Sequence, residues 1–281
     1  MKTTTKQKIA FSMLFLCTII VILPVLFVLG VIIKNGAKGI SWNFLTTMPS
    51  DGMRQGGIYP AIVGTLYLVS LSIVFSLPVG VMAAIYLNEY AKDNLLTRLI
   101  RLAIVNLAGV SSVVYGLFGL ALFVTFMKFG VSILSGALTL AIMNLPVIIT
   151  ASREALASVP YSFREVSLSL GLSRWQTIRH SVLPFAIPGI LTGAILSLAR
   201  AAGETAPILF TVAAFYLPNL PASVFDQAMA LPYHLYIIST QIPNISIQTR
   251  YATAFVLVGI VFTMNIIAVV LRARLRKKKK W

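Results

Sequence analysis

Residues 152–184 read SREALASVPYSFREVSLSLGLSRWQTIRHSVLP, a polar island between two long apolar runs. The island carries Arg153, Arg164, Arg174 and Arg179, enough charge to leave hydrocarbon. Yet Phe163, Val166, Leu170 and, across Gly171, Trp175 and Ile178 recur at spacings of three to five, close to the period of a helix face. Gly171 followed by Ser173 reads as a helix stop and a fresh N-cap. The expectation is two short helices that meet at Gly171 and lie along a membrane face. An ordinary amphipathic connector between spans has the same pattern.

Working outward from the island, the chain is a membrane protein. It has 281 residues, 58% hydrophobic and 11% charged, with mean hydropathy +0.91. Soluble domains carry about 25% charged residues. A bilayer crossing takes roughly 17–25 predominantly apolar residues. Six runs qualify, at about 9–33, 59–87, 102–127, 131–150, 185–215 and 251–271. The first follows Lys2, Lys6 and Lys8 like the start of a signal peptide. It is too long and lacks a small-residue cleavage site, so it reads as a retained helix.

The net charge of +16 does not point to nucleic acid, because of where the charges fall. With both ends of a six-span chain in the cytoplasm, 17 of the 23 basic residues lie on the inner side. The outer segments hold Lys34, Lys38, Arg54, Lys128 and Arg250, and Arg200 sits inside a span. This is the positive-inside pattern. The tail RARLRKKKKW, 272–281, then reads as a topology anchor beside anionic lipid.

Other chemistries find little support. Cys17 is the single cysteine, so neither an internal disulfide nor a cysteine metal cluster is available. His180 and His234 have no ligand spacing around them, and no metal site is assigned. No phosphate-binding loop of the G-x-x-x-x-G-K-[ST] type occurs, so no ATP site is expected on this chain by that route.

The island resembles the EAA loop of permease subunits of ABC importers: E-A-A, three residues, G, nine residues, I, one residue, L-P. Aligned on Gly171, the motif falls on Glu165, Val166 and Ser167, then on Leu183 and Pro184. Val166 and Ser167 stand where the family has alanines, and Ser181 stands at the isoleucine. The E-A-L at Glu154 is at the wrong distance from Gly171. The longer stretch REVSLSLGLSRWQTIRHSVLPFAIPGILTGAILSLARAAGETAPILFT, with VVYGLFGLALFV at 113–124, is similar to the PstA family, the A-type permease subunits of phosphate-specific importers.

That resemblance implies an all-α polytopic membrane protein of six transmembrane helices, with the type I (MetI-like) importer permease fold and a single domain. It implies a non-catalytic subunit moving inorganic phosphate inward across the cytoplasmic membrane of a prokaryote. The expected partners are a second homologous permease subunit, two cytoplasmic ATP-binding subunits that carry the ATP and magnesium, and an extracytoplasmic phosphate-binding protein. The EAA loop, 152–184, would be the coupling segment that seats on an ATPase. Within it, Glu165 would pair with a basic group there, and Gly171, Leu183 and Pro184 would shape the turn and the entry to the next span. Trp175 would anchor the interface; a membrane-interface belt residue has the same character.

The stretch LARAAGETAPILFT, 198–211, places Arg200 and Glu204 within an apolar run. Read as one helix, Gly193, Ser197, Arg200, Glu204 and Thr211 make a single small and polar stripe. Arg200 and Glu204 are i, i+4 neighbours and can pair. At 1.5 Å per residue, Arg200 lies about 22 Å along a helix starting near Phe185, beyond the midplane. Pro207 cannot donate to the Gly203 carbonyl, which weakens the helix there. Ser197, Arg200, Gly203, Glu204 and Thr205 are the expected wall of an anion path. The Arg200 guanidinium suits phosphate oxygens. Glu204 can accept the hydrogen bond that hydrogen phosphate has a proton to give and that fully ionised sulfate cannot offer. A structural ion pair joining helices is the other reading.

The outer segment 216–249 has four prolines, and FDQAMALPYHLYIIS within it reads as a short outer helix, part of a docking face or a capped loop. A permease for molybdate or sulfate is the alternative cargo. An ATP-independent carrier would show charges in several spans and an inverted repeat. A membrane-embedded enzyme would need a catalytic cluster beyond the Arg200–Glu204 pair.

Overall fold

The computed structural model of the chain describes residues 2–217 and 219–277; Met1, Pro218 and Lys278 to Trp281, the end of the basic tail, lie outside that description. The described residues are mostly helical, and their one sheet is a hairpin pairing Pro49–Ser50 with Gln55–Gly56. In chain order the helices are α1 (Lys2–Gly36), α2 (Trp42–Thr46), α3 (Tyr59–Ile85), α4 (Leu95–Ala108), α5 (Ser112–Gly119), α6 (Ile133–Ala157), α7 (Ser162–Ser169), α8 (Arg174–Thr177), α9 (Leu183–Gly203), α10 (Ala206–Thr211), α11 (Leu231–Thr240) and α12 (Ile247–Lys277). Wider π-helical turns extend α3 over Tyr86–Tyr90 and α5 over Leu120–Phe126, and join α8 to α9 over Ile178–Val182.

Among the described residues, five helical runs are long and apolar enough to cross a membrane, or six if one bent pair counts as a single span. That pair occupies the third expected span, 102–127, and corrects the expectation of one straight helix. Its two halves, α4 and the α5 run, meet at 105°. Gly109 ends α4, and the Ser111 side chain caps α5 by accepting from the Val113 amide. The Tyr115 hydroxyl bridges the break by donating to the Leu107 carbonyl at 2.9 Å. The fifth expected span, 185–215, is also interrupted: α9 stops at Gly203 and α10 restarts at Ala206. The fourth extends inward to Ala157, so the first residues of the island are still helix.

The centre of the bundle is α3, α6 and α9. Small residues set their approach, as expected where hydrocarbon surrounds the helices and contact must come from close packing. A β-carbon added at Gly80 of α3 would fall 2.6 Å from Ile148 of α6, and one at Gly193 of α9 would fall 2.6 Å from Ala151. These contacts, with Gly136 against Leu68 and Gly189 against Ala155, make α3 and α6 parallel and α9 antiparallel to both. By contrast, α1 touches mainly α12, and its apolar residues are exposed in the isolated chain, as suits a helix facing lipid or another subunit.

At the outer end the chain folds back as a cap. The amides of Ser132, Ile133 and Leu134, which a helix start leaves without internal partners, donate to the carbonyls of Thr211, Asp226 and Val224 at 2.8–3.0 Å. The Asp226 carboxylate accepts from the amides of Ala222 and Ser223. Within the expected outer helix, 225–226 close a turn, 227–230 are non-helical and α11 begins at Leu231. A buried cluster including Phe44, Ile58, Met229, Leu231 and Ile238 holds the cap on the outer ends of α3 and α12.

Candidate functional site

The inner face is organised around the turn at Gly171. Its φ of +82° is a left-handed conformation that ends α7, and a β-carbon there would meet nothing within 4 Å. Ser173 starts α8 through a capping box: its hydroxyl accepts from the Gln176 amide, and the Gln176 side chain accepts from the Ser173 amide at 2.8 Å. The run from Arg174 to Gly203 is then one continuous helical path, so α8 leads directly into the span that carries Arg200.

The expected apolar face of the island divides in two. Phe163 and Ile178 pack into the inner core with Leu156, Val159 and Val182, and Phe163 stacks edge-on against Phe185 at 4.9 Å. Val166, Leu170 and Trp175 point away, with Leu170 76% and Trp175 50% exposed. Glu165, in the first turn of α7, is also exposed. Leu183 and Pro184 open α9 and are half-buried. The structure therefore gathers Glu165, Gly171 and Trp175 on a surface of charged and apolar groups free to meet another protein.

Two departures from the EAA pattern explain each other. The Ser167 hydroxyl donates to the Ser181 hydroxyl at 2.7 Å, fastening α7 to the π turn before α9. Where the family pattern has an alanine and an isoleucine, this chain has a hydrogen-bonded pair of serines.

Sequence reading missed the strongest polar contact of the inner face. Arg164 of α7 grips Glu89, in the π turn that ends α3, with two hydrogen bonds of 2.6 and 3.1 Å. The same guanidinium donates to the Val159 and Leu156 carbonyls at 2.9 and 3.0 Å. Both side chains are about one-tenth exposed, at 12% and 10%. The signal available in sequence was an acid, Glu89, at the very end of an apolar run; its partner is 75 residues away. A cavity of about 510 Å³ opens beside the pair, lined among others by Asn88, Tyr161 and Arg174.

At the end of α9, the Arg200–Glu204 pair forms as the spacing implied, with Arg200 Nε donating to Glu204 Oε1 at 3.2 Å. The helix does not continue through it. Glu204 has extended backbone, and Pro207 stands in the first turn of α10. The single stripe is therefore corrected: Thr211 lies on a different helix, and its hydroxyl turns back to the Pro207 carbonyl. Ser197 is fully buried, with no hydrogen-bond partner for its hydroxyl. Gly203 is exposed with nothing within 4 Å of an added β-carbon, and Thr205 is half-buried. Arg200 is 34% and Glu204 16% exposed, so the pair sits at an open edge of the break. A broken helix at this depth, bordered by a cation, an anion and open space, is the kind of backbone that membranes tolerate only beside protein or a water-filled path. Among the described residues, no group of three or more His, Cys, Asp or Glu is placed to hold a metal.

Comparison with known proteins adds the lineage. Residues 76–281 match the family described as binding-protein-dependent transport system inner membrane component. The chain is 35% identical over 286 residues to the probable ABC transporter permease protein YqgI of Bacillus subtilis, covering 97% of each. It is 34% identical to the phosphate transport system permease protein PstA 1 of Mycobacterium tuberculosis, covering 95% of this chain and 88% of that protein. Among solved structures, a bacterial ABC transporter involved in the import of the acidic polysaccharide alginate superposes with TM-score 0.68 at 17% identity, covering 97% of this chain and 98% of that one. The inward-facing MetNI methionine ABC transporter gives TM-score 0.62 at 14% identity, over 80% of this chain and 99% of that one. These two likenesses establish the fold, an all-α arrangement of the MetI-like type.

Proposed function

The chain belongs to the family of binding-protein-dependent transport system inner membrane components, and from that premise we propose that it forms part of the membrane path of an ATP-driven inorganic phosphate importer. Its similarity over nearly its whole length to a phosphate transport permease supports the cargo. The observation that carries the reading is the Arg200–Glu204 pair at the broken end of α9, beside open space. Arg200 presents a permanent charge and a planar donor fork to the anion. Glu204 accepts a hydrogen bond from the protonated oxygen of hydrogen phosphate, which gives a basis for rejecting sulfate.

The inner face supplies the drive. Two cytoplasmic ATPase subunits, which bind ATP and magnesium, work below this chain and a second, homologous permease. The exposed Glu165, Leu170 and Trp175 meet one ATPase, and movement there passes through α8 into α9 and so to Arg200. An extracytoplasmic binding protein delivers phosphate to the outer cap. Both termini and the coupling segment lie in the cytoplasm, which places most basic residues inside.

The test is reconstitution of the four-part complex in vesicles with labelled phosphate. Uptake that requires ATP and the binding protein, and that sulfate and molybdate do not compete away, is expected. Uptake independent of ATP would overturn the importer reading; preferential uptake of another oxyanion would overturn the cargo. Charge reversal at Glu165 should weaken ATPase association and be restored in part by a reversed charge in the ATPase cleft.

A further inference from the structure

The helix α3 is pinned at both ends by polar contacts outside the spacing of any motif. At its inner end, Glu89 receives two hydrogen bonds from Arg164 of α7, and Asn88 donates to the same carboxylate at 2.8 Å. At its outer end, the Thr65 hydroxyl accepts from the Leu231 amide at 2.8 Å, at the first residue of α11. The residue before it, Gly64, lies so close to the Met229 carbonyl that a β-carbon would not fit. The residues between form one span, with Pro78 inside the helix and the π turn at its inner end, packed along α6.

A paired, hydrogen-bonded charge one-tenth exposed is costly to separate, because parting leaves both groups unsolvated. A bidentate guanidinium–carboxylate contact also fixes direction as well as distance. Arg164 further ties the last carbonyls of α6. A displacement of α7 therefore cannot be absorbed at this joint and must be taken up by α3 and α6 as rigid bodies.

We propose that the Glu89–Arg164 pair is the joint through which movement of the coupling helix α7 reaches the outer cap, with α3 as the rod between them. The pair thus positions rather than touches cargo. This rests on the coupling reading given above. It divides labour within the inner face: α8 drives α9 and the ion pair, while α7 drives α3 and the cap over the outer end.

The test uses the whole complex in vesicles with Cys17→Ala and Ser239→Cys, which places a thiol reporter at an exposed position on α11. In the otherwise native complex, ATP should change the rate of Ser239→Cys modification by a water-soluble thiol reagent. In Glu89→Gln, ATP hydrolysis should persist while that ATP-dependent change disappears, and phosphate moved per ATP should fall roughly three- to thirtyfold. Arg164→Lys, which keeps the charge and loses the fork, should give a smaller loss in the same direction and covers the case that Glu89→Gln fails to assemble. The swapped pair Glu89→Arg with Arg164→Glu should recover part of the response. An unchanged ATP response and transport ratio in an assembled Glu89→Gln or Arg164→Lys complex would overturn the joint. Failure of the coupling reading looks different: charge reversal at Glu165 would leave ATPase association intact.

Discussion

Replacing Arg200 and Glu204 by glutamine, singly and together, separates a pathway site from a structural ion pair. The pair is a single hydrogen bond at 3.2 Å, with Arg200 34% and Glu204 16% exposed. Removing one partner of a fully buried pair costs about 3–5 kcal/mol, and exposed pairs contribute about 0–1 kcal/mol. This pair lies between those limits. Arg200→Gln strands the more buried group, Glu204, and should cost about 2–3 kcal/mol. Glu204→Gln strands the more exposed Arg200 and should cost about 1–2 kcal/mol. The double substitution leaves no stranded charge and should restore stability to within about 1 kcal/mol. Transport then decides. Losing a charge-assisted hydrogen bond to the anion removes about 1.5–3 kcal/mol, so uptake by the double variant should fall about 10- to 100-fold. Glu204→Gln alone should keep some uptake with weaker discrimination against sulfate. The assay is labelled phosphate uptake at equal membrane abundance, with thermal unfolding in detergent as the stability control. Phosphate uptake at the wild-type rate by the double variant would refute the pathway role.

Three further outcomes follow from the local geometry. Gly171→Ala meets no steric neighbour, so its cost is the left-handed backbone alone, about 1–2 kcal/mol; Gly171→Pro cannot adopt φ +82° and should abolish ATPase co-purification, while Gly171→Asn keeps most of it. Ser167→Ala should lower stability by about 1 kcal/mol by stranding Ser181, and adding Ser181→Ile should recover it, as read by melting temperature. Burial holds His234 down to about 4, below the usual value of about 6.5. The unfolded chain therefore takes up its proton first as pH falls: the stability contributed by neutral His234 is complete above about pH 6.5 and lost progressively toward pH 4. His234→Gln should flatten that acid-side fall in melting temperature, and an equally steep fall would show that other groups cause it.

What the sequence by itself determined was composition and short-range geometry. Apolar runs mark spans because an unpaired backbone cannot cross hydrocarbon except as helix. The Gly171–Ser173 turn was legible because a left-handed residue and a capping hydroxyl act on their immediate neighbours. The Arg200–Glu204 contact was legible for the same reason, since four residues on a helix bring side chains together even as α9 ends beneath them. The tertiary structure decided everything that joins distant residues or sets direction. Hydropathy counts apolar side chains and is blind to which way they run, so the 105° bend at Gly109–Ser111 hid inside an apolar stretch. The fastening of Ser167 to Ser181 depends on how two helices meet, and the carbonyls of Val224 and Asp226 that finish α6 come from a loop some ninety residues on. The Glu89–Arg164 joint needs α3, α6 and α7 packed before its two charges can share one dry position, and no local pattern of residues encodes that meeting.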